Sequence, residues 1–353
     1  MTIKNHLEGT LTLATAMYVA EFDKPGEQMQ KPIITPEGRF YMPYFPANDL
    51  RGRLRRKAAK RIADAFKAKG TPVSVDLYLG LTCGASSGNP ENDKTVEEVV
   101  RANENVYMGV FGGGTRMLRS GFRLQDLDVV SQTAIDAGIV PAHVGDQMEG
   151  GFIPMEYKDG QRTPIRDGFK LMHTYGILRV DSILRAVGMD EMIDVIEGGK
   201  EAITAYQLSV LNERADGKAA KALAKETGVA AEKVARNRVE NMQSFRAVAP
   251  GTPFYFRMDM VDSLTPAQTG LLILCLRDLF EEGAFGGYER LGLGKVTVRQ
   301  MKLTHDGEAL PLFEDATGLK LSAKALELTV LAEESINALT CEEMKLFFSS
   351  KGE

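Results

Sequence analysis

Apolar residues return at every fourth position between residues 50 and 66: Leu50, Leu54, Ala58, Ile62 and Phe66. That spacing puts them on one side of an α-helix, so residues 49–69 are expected to be helical with a single buried stripe. Asn48 or Asp49 stands where a side chain can cap the first turn. The remaining positions hold Arg51, Arg53, Arg55, Arg56, Lys57, Lys60 and Arg61, with Asp49 the only acid beside the run LRGRLRRKAAKRI. The stripe demands a partner layer. The charges, expected to cover the rest of the helix surface, repel one another unless a polyanion neutralises them. Arginine outnumbers lysine, which favours forked contacts to phosphate oxygens.

The segments around this helix define the fold class. LEGTLTLATAMYV at 7–19 alternates as a strand, and residues 21–46, rich in Pro, Gly and Gln, read as a long loop. TCGASSGNPEND at 82–93 is a loop, TVEEVVRANENVYMGV is helical, FGGG at 111–114 breaks the chain, and GFRLQDLDVV at 121–130 is a strand. Short β-like runs among many Gly and Pro residues at 141–180 predict a protruding hairpin, and the Ala-rich, mixed-charge stretch 181–245 predicts a solvated helical insertion. TPFYFRMDMVD at 252–262 is a strand. Thr265 and Pro266 open a helix that ends at Gly283, and VTVRQMKLT at 296–304 is a strand. Beyond residue 305 the chain is acidic, with a helix expected in ALTCEEMKLFF. The order is strand, helix, insertions, strand, helix, strand. It predicts an α+β protein with a β-α-β-β-α-β ferredoxin-like core, assigned to 1–70 and 246–304.

Several function classes are disfavoured. Cys83, Cys275 and Cys341 are far apart, and His6, His143, His173 and His305 show no ligand spacing, so neither a disulfide framework, a metal site nor a cofactor is expected. The longest apolar run, GLLILCL, is too short to span a bilayer, and the N-terminus has no signal-peptide pattern, which predicts a cytoplasmic protein with no membrane partner. The net charge of -5 argues against a generic polyanion binder, but the basic residues are concentrated early in the chain.

Two glycine-rich segments carry further charge. GAFGGYERLGLGK at 283–295 offers Gly286, Gly287, Gly292 and Gly294 for sharp turns and close approach to a ligand, Arg290 and Lys295 for phosphate, and Tyr288 for stacking. It is not a Walker A loop, because Val296 follows Lys295, and it precedes a strand rather than a helix. FGGGTRMLRSGFRL adds Arg116, Arg119 and Arg123. On the 141–170 arm, Met148, Phe152, Ile153, Pro154 and Met155 are apolar residues able to wedge between bases.

In this order the segments resemble the RAMP superfamily of CRISPR-associated proteins. YFPANDLRGRLRR at 44–56 resembles its "IPGSSLKGxLR" segment, and VFGGGTRMLRSGFRLQDLDVV at 110–130 its "FGS…SRLxVxDA" segment. FRAVAPGTPFYFRMDM at 245–260 resembles "ERVPxGTxFxFxI", and GAFGGYERLGLGKV its C-terminal glycine-rich loop. The long insertions and the FGG segment are similar to the backbone branch, in the wording of type IV systems. The resemblance implies a modified RNA-recognition palm, helical fingers at 71–110, a β-hairpin thumb at 141–180, the insertion at 181–245 and a C-terminal extension at 305–353. It implies a non-catalytic subunit that polymerises along a CRISPR RNA and presents it to target nucleic acid, DNA by the type IV analogy. Other effector subunits and a helicase would be partners. Asn48, Arg51, Arg53, Arg55, Arg56, Arg116, Arg119 and the residues Gly286, Gly287, Tyr288, Arg290, Gly292 and Gly294 would hold the guide, while Met148, Phe152, Ile153 and Met155 of the thumb would flip bases.

One departure bears on catalysis. Type III relatives cut RNA with an aspartate after the first strand. Here Gln30 of EQMQKPIITP falls at that position, with Asp23 the nearest acid. An amide is no general base, so no target cleavage is expected. The runner-up is a metal-independent CRISPR RNA-processing endoribonuclease, for which His6 is the histidine nearest the N-terminus. A metabolic enzyme using the glycine loops for a nucleotide lacks any acid–base constellation to support it.

Overall fold

The computed structural model describes residues 5–84, 95–114, 118–146, 153–178, 198–205, 242–261, 263–283, 285–305, 307–315 and 318–348. The chain divides into two compact units, one of Met1–His173 with Arg246–Glu353, the other Thr174–Phe245.

The larger unit is α+β. Its eight-stranded sheet contains β1 (Asn5–Leu13), β2 (Gln30–Thr35), β3 (Gly38–Phe45), β4 (Phe122–Leu124), β5 (Leu127–Val129), β6 (Pro253–Met260), β7 (Val296–His305) and β8 (Glu308–Pro311). The order is β8-β7-β1-β6-β5-β3-β2, with β4 also on β6. Every pairing is antiparallel. Along β1 and β6, Leu7, Leu11 and Leu13 share the buried core with Phe254, Phe256, Met258 and Met260. Polar Glu8, Arg257 and Asp259 alternate with them on the less covered face, where Tyr255 is also buried.

Two long helices meet the core. In α1 (Ala47–Ala68), Leu50, Leu54, Ala58, Ile62 and Phe66 are all buried, as the four-residue spacing anticipated. Pro46, not Asn48 or Asp49, is the N-cap, and it makes no side-chain cap bond. The Ala47 N–H instead donates to Asp126 Oδ1 at 2.9 Å, so the cap comes from the β4–β5 turn. Between α1 and the 266–282 helix lie α2 (Val75–Cys83), α3 (Val96–Glu104) and α4 (Met108–Phe111). Helix α5 (Pro266–Glu282) starts with a Thr265/Gln268 capping box and stops at left-handed Gly283, as expected. Phe280 of α5 meets Phe256 of β6 edge-on at 6.4 Å.

Residues 271–276 of α5 are fully buried on all sides. A helix apolar all round needs a cover on its sheet-distal side. The acidic tail supplies it as α6 (Ala323–Ala338), whose Leu328 carbonyl lies so close that a Cβ at Gly270 would fall 1.9 Å from it. The expected terminal helix is α7 (Cys341–Phe348). No described helix is long and apolar enough to cross a membrane.

The loop expected at 21–46 is instead mostly strand. Lys24–Gln28 pairs with Ala20–Glu21, and β2 with β3 from Gln30↔Pro43 to Thr35↔Gly38. Pro32 misled the reading; β2 is an edge strand, where a missing N–H costs little. In the 141–180 region Met155–Lys158 and Gln161–Pro164 form a hairpin. Met172–Leu178 pairs with Met242–Val248, and in the smaller unit Tyr175 stacks on Phe245 at 5.8 Å. The end of the predicted helical insertion is therefore strand. Residues 181–197 and 206–241 lie outside the described residues.

Lys31 ties β2 across β3 to β5 and the turn before it, with Nζ 3.0 Å from Asp126 and 2.7 Å from Asp128. Burial pushes its ammonium down, but the two carboxylates outweigh that and hold its pKa above the ordinary 10.5. Burial lifts Asp128 above the usual carboxylate range despite Lys31. Replacing Lys31 with Met strands a buried acid, and urea unfolding should show a loss of about 2 kcal/mol, partly recovered by adding Asp128→Asn. Because the lysine pKa is raised on folding, the wild-type advantage holds from neutral pH up to 10.5 and fades as pH climbs through the raised value; it fades also in acid, where Asp128 takes up a proton.

Candidate nucleic-acid interface

The basic helix is not a free ridge. Arg53 donates to Asp49 at 3.0 Å, to Glu289 at 2.5 Å and to the Gly286 carbonyl at 3.1 Å. Burial lowers its pKa, but the bonds to Glu289 and Asp49 raise it overall. Lys57 meets Glu282 at 2.5 Å, Lys60 meets Asp64 at 2.6 Å, and Arg61 grips Asp278 with two 2.6 Å bonds and lies 3.7 Å from Glu333. Most of these acids lie more than 200 residues away along the chain, which is why the run looked unneutralised. The available sign was the acid cluster Asp278, Glu281 and Glu282 at the end of α5.

Arg51 and Arg55 are not on the outer surface either. They form one i, i+4 row with Ala59, which is fully buried, so the row turns inward. The Arg51 guanidinium lies over the Phe122 ring and 3.5 Å from the Phe122 carbonyl. Arg55 lies over Phe111 and donates to its carbonyl at 2.5 Å, with the Gly112 carbonyl at 3.5 Å. Neither meets a carboxylate among the described residues. Burial, and then the charge of Arg55, push the Arg51 pKa down. Of the seven cations in the 51–61 run, Arg56 alone is exposed without an acid partner among the described residues, and Asn48 in the first turn is exposed as well.

The two glycine segments flank α1. Arg53 ties it to the 283–295 loop and Arg55 to the FGGG segment. Much of the glycine requirement is internal. Gly286, at φ +95°, carries a position where a Cβ would fall 2.3 Å from the Tyr18 carbonyl, and at Gly294 a Cβ would fall 1.9 Å from the Phe285 carbonyl. Gly287 donates to Tyr18 O at 2.7 Å. Tyr288, at φ +60°, stacks on Tyr18 at 5.4 Å, so one ring face is already used. Gly292, at φ +78°, faces open space. Arg290, Lys295, Arg119 and Arg123 are exposed. Arg116, Met148 and Phe152 lie outside the described residues. Ile153 and Met155 are half-buried and line an open groove of about 720 Å³. Sequence reasoning missed two arginines of that groove, Arg162 and Arg299, and its exposed Tyr157; the Asp159-Gly160 turn was the available signal.

His6 sits on β1 opposite Asp259 and Thr304, with Nε2 3.3 Å from the Thr304 hydroxyl. Burial, then Arg257, lowers its pKa. The glycine loop joins β7 opposite Leu13, seven residues along β1 from His6, or roughly 23 Å. Gln30 opens β2, and its Oε1 is buried without a partner among the described residues.

No family model and no curated protein matches the chain. Among solved structures it is similar to a chain of a Type IV-B CRISPR complex, with a TM-score of 0.44 and 12% identity over 85% of this chain and 90% of that one.

The glycines separate by their surroundings. Gly294→Ala should cost at least about 3 kcal/mol, because backbone must move as well as twist. Gly292→Ala should cost about 1–2 kcal/mol, from its left-handed φ alone. Chemical denaturation of the two variants reads the difference.

Proposed function

We propose that this chain is a non-catalytic backbone subunit of a CRISPR effector complex, which holds a CRISPR RNA by its phosphates and assembles with further copies of itself along it. The observation that carries the reading is the convergence of three resembling segments on one helix. The 44–56 segment forms α1, the FGGG segment packs on its Arg55 side, and the C-terminal glycine loop packs on its Arg53 side. The sheet order supports the same reading. Taking β4 and β5 together, the path β7-β1-β6-β4/β5, with α1 and α5 as crossovers, follows a ferredoxin-like arrangement. This is a modified RNA-recognition palm, with fingers at 71–110 and a thumb at 141–180.

The phosphate contacts fall to cations that the protein leaves unneutralised: Arg56, Arg119, Arg123, Arg290 and Lys295, beside Asn48. Contacts of that kind fix register without reading sequence, so one subunit can hold any guide while base pairing selects the target. Arg51 and Arg55 act from inside, by fixing the glycine segment. Other effector subunits, target DNA and a helicase are the partners this assembly would meet.

The test is purification after expression with a CRISPR array. RNA of defined length and filaments by electron microscopy are expected; nucleic-acid-free monomers would overturn the reading. Arg56→Ala with Arg119→Ala and Arg123→Ala should weaken binding equally across RNA sequences. The slope of log affinity against log salt should become shallower by roughly 2, about 0.7 per lost contact.

A further inference from the structure

The cations without acid partners do not all lie around α1. The Met155–Pro164 hairpin turns through Asp159 and Gly160, both at positive φ (52° and 77°), which suits a two-residue turn that matches strand twist. Its register sets Tyr157 opposite Arg162 and Met155 opposite Pro164. Side chains alternate along a strand, so Met155, Tyr157 and Arg162 share one face. That face lines the groove of about 720 Å³, together with the Ala249–Pro253 connection, Thr12, Lys170 and Arg299.

No acid lines this groove among the described residues. Lys170 is matched by Glu156, at 2.8 and 2.6 Å, but Arg162 and Arg299 meet no carboxylate among the described residues. Thr12 is 9% exposed and lines the groove, and its hydroxyl has no hydrogen-bond partner among the described residues. Tyr157 is 82% exposed, which leaves an aromatic face in water. An aromatic plane beside an unpaired arginine matches a single strand, in which bases and phosphates alternate. An acidic peptide would use the arginines and leave Tyr157 idle. A duplex hides its base faces from the ring.

We infer that this groove is a second nucleic-acid site, in which Arg162 and Arg299 hold the phosphates of a single strand and Tyr157 stacks on one of its bases. It rests on the nucleic-acid reading above but uses none of the cations around α1.

Fluorescence anisotropy with the full chain and a labelled uridine 30-mer tests it. Arg162→Ala with Arg299→Ala should weaken binding at least tenfold. Tyr157→Ala should lose about tenfold while Tyr157→Phe binds as wild type, since the ring does the work. These side chains are exposed, so melting temperatures should stay at the wild-type value. Wild-type affinity in the groove variants, with loss only in the Arg56, Arg119 and Arg123 variant, would overturn the groove and leave the function standing. No binding of the 30-mer by wild type would overturn both. A labelled decaglutamate whose binding depends on Arg162 and Arg299, with RNA unaffected, would make the groove a peptide site instead.

Discussion

Burial of the Leu50–Phe66 stripe is the constraint from which the arrangement of the larger unit follows. Once that stripe is in the core, each cation on the helix has a fixed heading. The Arg51, Arg55 and Ala59 row is carried inward, where a guanidinium without acceptors would be costly. Ring faces and the carbonyls of Phe111, Gly112 and Phe122 receive it. Gly84 and Gly113 leave room for Arg55: a Cβ at Gly84 would fall 1.5 Å from its guanidinium. The other flank meets α5 and its following loop, where Glu282, Asp278 and Glu289 await. One amphipathic helix therefore positions both glycine segments.

That same pairing redistributes the protein's charge. The acids neutralise much of the basic helix, and the exposed cations left over among the described residues are scattered in sequence, Arg56, Arg119, Arg123, Arg162, Arg290, Lys295 and Arg299 among them. Isolated exposed arginines are unremarkable one at a time. Those that line a groove with no acid among its described residues, with an exposed ring among them, offer what an alternating base and phosphate chain requires. The negative total charge is compatible with such a surface because acids such as Asp278, Glu282 and Glu289 are matched to cations of α1.

Some of this was legible in advance. Helix α5 was marked by Thr265, Pro266 and Gly283, and β6 by alternation, because caps and periodicity are local properties. The β2–β3 hairpin was hidden by Pro32 and Pro43, which an edge strand and its neighbour absorb. Helix α6 was hidden by its exposed acidic face; its need arose from α5, which is apolar all round and cannot face water. The glycines of the 283–295 loop stood out as points of close approach to a ligand, but Gly286 and Gly294 answer to Tyr18 and Phe285, which only the folded chain brings near.

By itself the sequence determined that the chain is α+β, where the helices and strands with clear caps or periodicity lie, and that one helix carries a dense run of positive charge. Only the tertiary structure decided which of those charges remain available, since Arg53 meets Glu289 across 236 residues of chain and Arg61 meets Asp278 across 217. The physical reason is that secondary structure follows from neighbours along the chain, whereas charge compensation depends on distance in space and on exclusion of water. No spacing rule reports either of those.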